Sequence, residues 1–113
     1  MADIVYVDQE DGKKRVMNNT ALYAKLLGKF RDETNLESIF SAIDEGSYEK
    51  AQDLAHAVKG TTANLSLKDL NEKIVALEAQ IKAKSVEPHI IEAVKTSFAA
   101  TIPEIEKVIA ENA

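Results

Sequence analysis

The feature that most constrains the fold is the recurrence of apolar residues at intervals of three and four. The segment after Ser66 shows it most clearly, and its apolar positions are Leu67, Leu70, Ile74, Leu77 and Ile81. Residues at these intervals lie on one face of an α-helix, so the pattern predicts an amphipathic helix with one buried side. A chain made of such helices is expected to bury their apolar stripes against one another.

Two further helices are predicted in the first half of the chain. Asn19 or Thr20 can cap the first of them. Thr34, followed three residues later by Glu37, fits a capping box at the start of the second, and Gly46 suits the position just after its end. The residues expected to face inward are Leu22, Tyr23, Leu26, Leu27, Phe30, Leu36, Ile39, Phe40 and Ile43.

The next helix is predicted from about residue 48 to residue 65, with Ser47 as its cap, and Ser66 is the expected N-cap of the helix that follows. Pro88 is acceptable in the first turn of a last helix. Pro103 lies inside that helix and is expected to kink or locally unwind it. The inward positions are Tyr48, Ala51, Leu54, Ala55, Val58, Thr62 and Leu65, and then Ile91, Val94, Phe98, Ile105 and Ile109.

The N-terminal residues fit two structures. Ile4–Val7 could form a hairpin with Arg15–Met17, but a short helix from Gln9 to Met17 is equally compatible with the sequence. A two-stranded hairpin alone is marginally stable. Both alternatives leave residues 1–17 as an extension of the domain that follows.

The architecture predicted for residues 1–113 is a single all-α domain. Short loops favour antiparallel neighbours, so residues 18–113 are expected to form an antiparallel up-and-down four-helix bundle. The composition agrees, because the chain is 45% hydrophobic but only 5% aromatic, and its 2 Pro and 4 Gly are too few for an all-β domain with many turns.

Charge and composition exclude several classes of function. The net charge is −5 with acids and bases interspersed, so no basic stripe exists for nucleic acid. No apolar run approaches the roughly 20 residues that span a bilayer, and the N-terminus does not resemble a signal peptide. The absence of cysteine is compatible with a reducing cytoplasm, where we expect the protein.

His56 is the most informative residue for function. It lies away from the apolar stripe of its helix, with Lys59 three residues on and Gly60 four residues on. A glycine inside a helix costs about 1 kcal/mol relative to alanine, so this one suggests that something large approaches the helix here. The neighbours on this side are short where Glu, Lys or Arg would be typical: Ala57, Thr61, Ala63 and Asn64. The plain alternative is an ordinary surface histidine.

This segment resembles the histidine-containing phosphotransfer (HPt) domain family. The family pattern is a histidine, a lysine three residues on, a glycine four residues on, and small residues that end in Asn-Leu-Gly. Here it reads His56, Lys59, Gly60 and then TTANLS, so Ser66 stands where the family usually has glycine. We attribute that difference to the expected N-cap role of Ser66. The resemblance extends over residues 9–83.

The resemblance implies a role in a two-component phosphorelay. His56 would take a phosphoryl group from the aspartyl phosphate of a receiver domain and give it to the aspartate of another. Lys59 would stabilise the phosphoryl charge, and Gly60 would admit the partner's active-site loop. Glu78, in a Leu-Glu pair similar to one in the family, would orient the imidazole; alternatively it only pairs with Lys82 four residues on.

The expected partners are therefore receiver domains of response regulators or a hybrid histidine kinase. The surface candidates for contact with them are Gln52, Ala63, Asn64 and Lys82. The chain would be a monomeric phosphocarrier without kinase or ATP-binding activity. It would bind no cofactor or metal itself, and Mg²⁺ is expected on the receiver.

Two other functions stay open at this point. One is an interaction module that docks on a receiver domain or kinase and regulates it without carrying phosphate, although such a module has no chemical need for His56. The other is a plain bundle that dimerises through the bare helix face. His89 is interpreted as an exposed residue at a helix start, since two isolated histidines make a poor metal site. Ser66 and Ser97 lack a recognisable base for hydrolysis.

Overall fold

The computed structural model describes residues 4–112, which contain six helices and no strand. The prediction of an all-α fold is therefore confirmed for this part of the chain. Residues 1–3 and 113, which the single-domain prediction includes, lie outside the described residues. The helices are α1 (Gln9–Arg15), α2 (Thr20–Glu33), α3 (Glu37–Asp44), α4 (Tyr48–Asn64), α5 (Lys68–Lys82) and α6 (Pro88–Glu111).

The N-terminal segment is helical, so the hairpin alternative is wrong. Asp8 caps α1 by accepting a hydrogen bond from the backbone N–H of Asp11. Met17 and Asn18 both have positive φ and turn the chain from α1 into α2. Asn19 caps α2 as predicted, because its side-chain oxygen accepts from Leu22 N at 3.0 Å.

Two of the predicted caps are wrong. Leu36 is the N-cap of α3, and the nearby Asn35, rather than Thr34, accepts a hydrogen bond from Ser38 N at 3.3 Å. Leu67 is the N-cap of α5. Ser66 is instead a buried residue at φ 58°, and its hydroxyl donates to a carboxylate of α1. That left-handed backbone favours glycine, the residue that the resembled pattern has at this place.

Two other residues predicted at helix ends, Gly46 and Ser47, agree better with the structure. Gly46 has φ 75° and follows the end of α3, as predicted. Ser47 is the N-cap of α4, although its side chain makes no capping hydrogen bond.

α6 passes through Pro103 without a break, so the expectation of local unwinding is wrong. Pro103 and Ala99, whose carbonyl loses its helical donor, are both exposed, and water can replace that bond.

The core is built from the apolar faces of α2 to α6. α4 packs against α3 and α5, α5 packs against α6, and α6 packs against α2. All five predicted inward residues of the Leu67–Ile81 stripe are buried. Leu22 is 39% exposed and was wrongly placed in the core, because the buried face of α2 is centred on Tyr23 and Leu27. No helix within residues 4–112 has both the length and the apolar character needed to cross a membrane.

The segment before α2 lies on the connection between α4 and α5. Asp8 N donates to Ser66 O, and Asp69 N donates to Val5 O, each at 3.0 Å. The Tyr23 hydroxyl donates to Leu65 O at 2.7 Å. These bonds satisfy backbone groups at the end of α4 and the start of α5, and they hold the connection that places one helix beside the other.

Candidate functional site

α4 presents the His56 side chain to solvent. The helix buries Ala51, Ala55 and Thr62 on its inner face. Because successive residues are about 100° apart, His56 falls outside that face, and its side chain is 71% exposed. The imidazole is thus accessible to another macromolecule while α4 remains anchored in the core.

Glu78 of α5 meets two of the predicted site residues of α4. Its side chain is only 5% exposed. One carboxylate oxygen, Oε2, lies 3.2 Å from His56 Nδ1, and the other, Oε1, accepts a hydrogen bond from Lys59 Nζ at 2.6 Å. Lys82 Nζ lies 3.9 Å from Oε1, which is too far for a hydrogen bond. The principal partners of Glu78 are therefore on α4 and not one turn along its own helix.

The electrostatics of this cluster favour one state of the imidazole. The hydrogen bond from Lys59 lowers the pKa of Glu78, and this effect is larger than the increase caused by burial. The contact with His56 lowers the pKa further. An ionised carboxylate can only accept hydrogen bonds, so Nδ1 of His56 must carry the hydrogen between them. In the neutral ring, Nε2 then holds the free lone pair.

Gly60 leaves the surface beside His56 open. It is exposed, and a Cβ built on it would have no atom within 4 Å apart from its own helix and chain neighbours. Internal packing therefore does not require glycine here. The surrounding surface is made of exposed short or uncharged side chains: Ala57, Thr61, Ala63 and Asn64.

The residues predicted to contact a partner lie on the two helices that carry the site. Gln52 is half-buried one turn before His56, whereas Ala63 and Asn64 are exposed near the end of α4. Lys82 is exposed in the last turn of α5. A groove continues from this surface toward α2, and sequence reasoning missed it because it is formed between helices; its lining includes Leu26, Lys29, Phe30, Thr61 and Asn64.

Asn71 is a further feature near the site that sequence reasoning missed. Its amide Nδ2 donates to Lys59 O and to Thr62 Oγ1, each at 3.0 Å. The available signal was its position, seven residues before Glu78 and so two turns away on the same face of α5.

The other candidates from the sequence lie elsewhere. His89 is exposed near the start of α6, with Nδ1 at 3.0 Å from Glu87 Oε2. Ser66 is bonded to Asp11 of α1. The Ser97 hydroxyl is buried without a hydrogen-bond partner among the described residues. Among residues 4–112, no three His, Asp or Glu side chains are grouped as metal ligands would be.

Comparisons with protein-family models, with curated proteins and with solved structures found no match to this chain. α4 and α5 bring together an accessible imidazole, a carboxylate that contacts one of its nitrogens, and an ammonium group on the same carboxylate.

Proposed function

We propose that this protein is a histidine phosphotransfer protein that carries a phosphoryl group on Nε2 of His56 between receiver-domain aspartates. The observation that supports this most strongly is the contact of Glu78 with both His56 Nδ1 and Lys59 Nζ. It leaves Nε2 as the free nucleophile on an exposed surface where Gly60 offers no steric obstacle.

The transfer step follows from this arrangement. The Nε2 lone pair of His56 attacks the phosphorus of a receiver's aspartyl phosphate. An N–P bond forms, the P–O bond to the aspartate breaks, and the aspartate leaves as a carboxylate with that electron pair. The hydrogen stays on Nδ1, where Glu78 offsets the positive charge that develops on the ring. In the next transfer, another receiver's carboxylate attacks phosphorus and the N–P electron pair returns to Nε2.

Lys59 supplies the second electrostatic contribution. Charge spreads over the phosphoryl oxygens during transfer, and a cation beside them lowers the barrier. An ammonium group has three N–H donors, so Lys59 can hold Glu78 with one and offer another to the phosphoryl group. Mg²⁺ and the acceptor carboxylate belong to the receiver, and this chain needs no ATP site of its own.

The proposal includes a more specific fold and setting. α2, α4, α5 and α6 would form an antiparallel up-and-down four-helix bundle, supported by the packing of α2 on α6, α6 on α5 and α5 on α4. A cytoplasmic monomer fits this role, because receiver docking needs the His56 surface free.

The experiment loads a panel of receiver domains with labelled phosphate from acetyl phosphate and Mg²⁺, and mixes them with wild type, His56→Gln and His89→Gln. The second variant is a matched control, because the His89 side chain is 68% exposed and also has a carboxylate oxygen beside Nδ1. We expect acid-labile, base-stable label on wild type and His89→Gln only. Label on His56→Gln would overturn the assignment.

The accessible small-residue surface around Gly60 also fits a docking module that carries no phosphate. Such a module would bind a receiver domain, and His56→Gln would bind it as tightly as wild type. Binding without label on wild type, across the panel, would favour this second function.

A further inference from the structure

We infer that Asn71 is a positioning residue that sets the register of α5 against α4 and so holds Glu78 in reach of both His56 and Lys59. Its consequence for phosphoryl transfer rests on the proposed function. Its consequence for the geometry of the imidazole does not, because the hydrogen bonds of Asn71 are made within this chain.

Asn71 contacts α4 through two hydrogen bonds. The Asn71 amide donates to the main-chain oxygen of Lys59 and to the hydroxyl oxygen of Thr62. Thr62 is fully buried, and its own hydroxyl donates back to the same Lys59 oxygen at 3.0 Å. Three polar groups are thus bonded to one another at a single point between the helices.

The spacing along α5 relates Asn71 to Glu78. Asn71 and Glu78 are seven residues apart, which places them on one helix face about 10 Å from each other along the axis. Asn71 contacts α4 at residues 59 and 62, and Glu78 contacts it at residues 56 and 59. The two helices therefore run antiparallel here, with the main chain of Lys59 fixed by one contact and its side chain by the other.

The rest of the interface between α4 and α5 does not specify the register of the two helices sharply. The buried residues of α5 besides Glu78 are the apolar side chains Leu70, Ile74, Leu77 and Ile81. Apolar burial is non-directional, whereas hydrogen bonds lose strength steeply with distance and angle. Hydrogen bonds from N–H to oxygen are about 2.7–3.2 Å long. The contact between Glu78 and His56, at 3.2 Å, is at the upper end of that range, so a shift of under about 1 Å would break it.

The test measures the ring tautomer of His56 by ¹H–¹⁵N NMR at alkaline pH, where imidazole is neutral. The variants are Asn71→Leu, which removes the donor at similar size, and Asn71→Ser, a milder change that keeps a shorter donor. Gln80→Ala is the matched control. Gln80 is also an amide of α5 that hydrogen-bonds main chain, accepting from Glu87 N at 2.8 Å, but it makes no contact with Glu78 or His56.

We expect wild type and Gln80→Ala to hold the hydrogen on Nδ1. Asn71→Leu should move it substantially to Nε2, with Asn71→Ser between the two. Label uptake from a phosphorylated receiver should fall by about tenfold in Asn71→Leu, because misplacement of a catalytic group by about 1 Å can cost up to 100-fold.

A wild-type tautomer in folded Asn71→Leu would overturn the inference. If that variant does not fold, Asn71→Ser decides, and an unchanged tautomer there has the same meaning. If wild type takes up no label, the proposed function fails, but the tautomer measurement still decides the role of Asn71.

Discussion

The ammonium group of Lys59 donates a 2.6 Å hydrogen bond to the buried carboxylate of Glu78, and this pair links α4 to α5 directly beside His56. The same carboxylate contacts the imidazole through its other oxygen. One side chain of α5 therefore takes part both in the stability of the helix pair and in the tautomer of the His56 imidazole. Substitutions at Lys59 or Glu78 are therefore expected to change both the free energy of unfolding and the tautomer of His56.

Replacing Lys59 by methionine should destabilise the protein. Glu78 would remain buried without its nearest cation, since Lys82 lies 3.9 Å away and is exposed. The expected loss is about 1–3 kcal/mol in the free energy of unfolding, the cost of leaving Oε1 of this buried carboxylate without its hydrogen-bond donor. Urea denaturation measures it, and label uptake should slow in the same variant.

The matched control for that variant is the double change Lys59→Met with Glu78→Gln. Removing the charge together with its partner should recover part of the lost stability, because a neutral amide is less costly to bury than an unpaired carboxylate. Equal stability of the single and double variants would contradict the pairing. The double variant is compared for stability only, because Glu78→Gln also removes the carboxylate that contacts the His56 ring.

Gly60→Ala should stabilise the protein by about 1 kcal/mol, because the added Cβ meets open space and alanine is the better helix former. The longer Gly60→Gln should be folded but deficient in accepting phosphoryl groups from a receiver. Gly28→Ala is the control, since its Cβ would make an ordinary 3.6 Å contact with Ile109 in another helix. Gly28→Ala should accept label normally. Normal uptake by Gly60→Gln would refute the steric role of Gly60.

Asp11 should make stability depend on acid pH. The Ser66 hydroxyl lowers the pKa of Asp11 to about 2, with further help from Arg15 and Lys68. Because the folded pKa lies below the ordinary 3.8, the stabilisation is present above that pH and is lost as pH falls towards 2. Melting temperatures between about pH 5 and about pH 2 should therefore converge for wild type and Asp11→Asn. A constant difference across that range would contradict this role.

Tyr23→Phe should cost about 1–3 kcal/mol, because the buried carbonyl of Leu65 loses the hydroxyl that donates to it. Chemical denaturation gives the value, and Tyr48→Phe at a half-buried position of α4 should cost less. A similar loss for both would mean that the bond to Leu65 contributes little. Tyr23→Phe should leave the His56 tautomer unchanged, because the bond from Tyr23 to Leu65 lies at the connection between α4 and α5 and does not involve Glu78.

The helices could be predicted from the sequence because their periodicity is local. The apolar stripe from Leu67 to Ile81 alone specifies a helix face, and the structure buries every member of it. The errors fall where a residue's conformation depends on distant contacts. Serine is a typical N-cap residue, but Ser66 has a left-handed backbone in the connection between α4 and α5. Its hydroxyl donates to Asp11 of α1 instead of capping α5.

The candidate site shows the same difference between features that are local in the sequence and features that depend on distant contacts. His56, Lys59 and Gly60 lie within five residues of one helix, so their spacing could be read directly. For Glu78 the sequence left two partners open, His56 and Lys82, and the contact with His56 forms because a short connection folds α5 back along α4. Asn71 was not singled out, because its importance depends on the residues of α4 that it faces, and the sequence of α5 alone does not reveal which residues those are.

The N-terminal contacts have a consequence for how the molecule assembles. His56, Lys59, Asn71 and Glu78 all belong to one continuous stretch, residues 48–82, so their contacts close only short loops. The bond from Ser66 to Asp11 joins residues 55 positions apart and carries a larger entropic cost of loop closure. We therefore expect α4 and α5, which carry the candidate site, to pair early in folding. α1 would pack on the connection between these two helices in a later step.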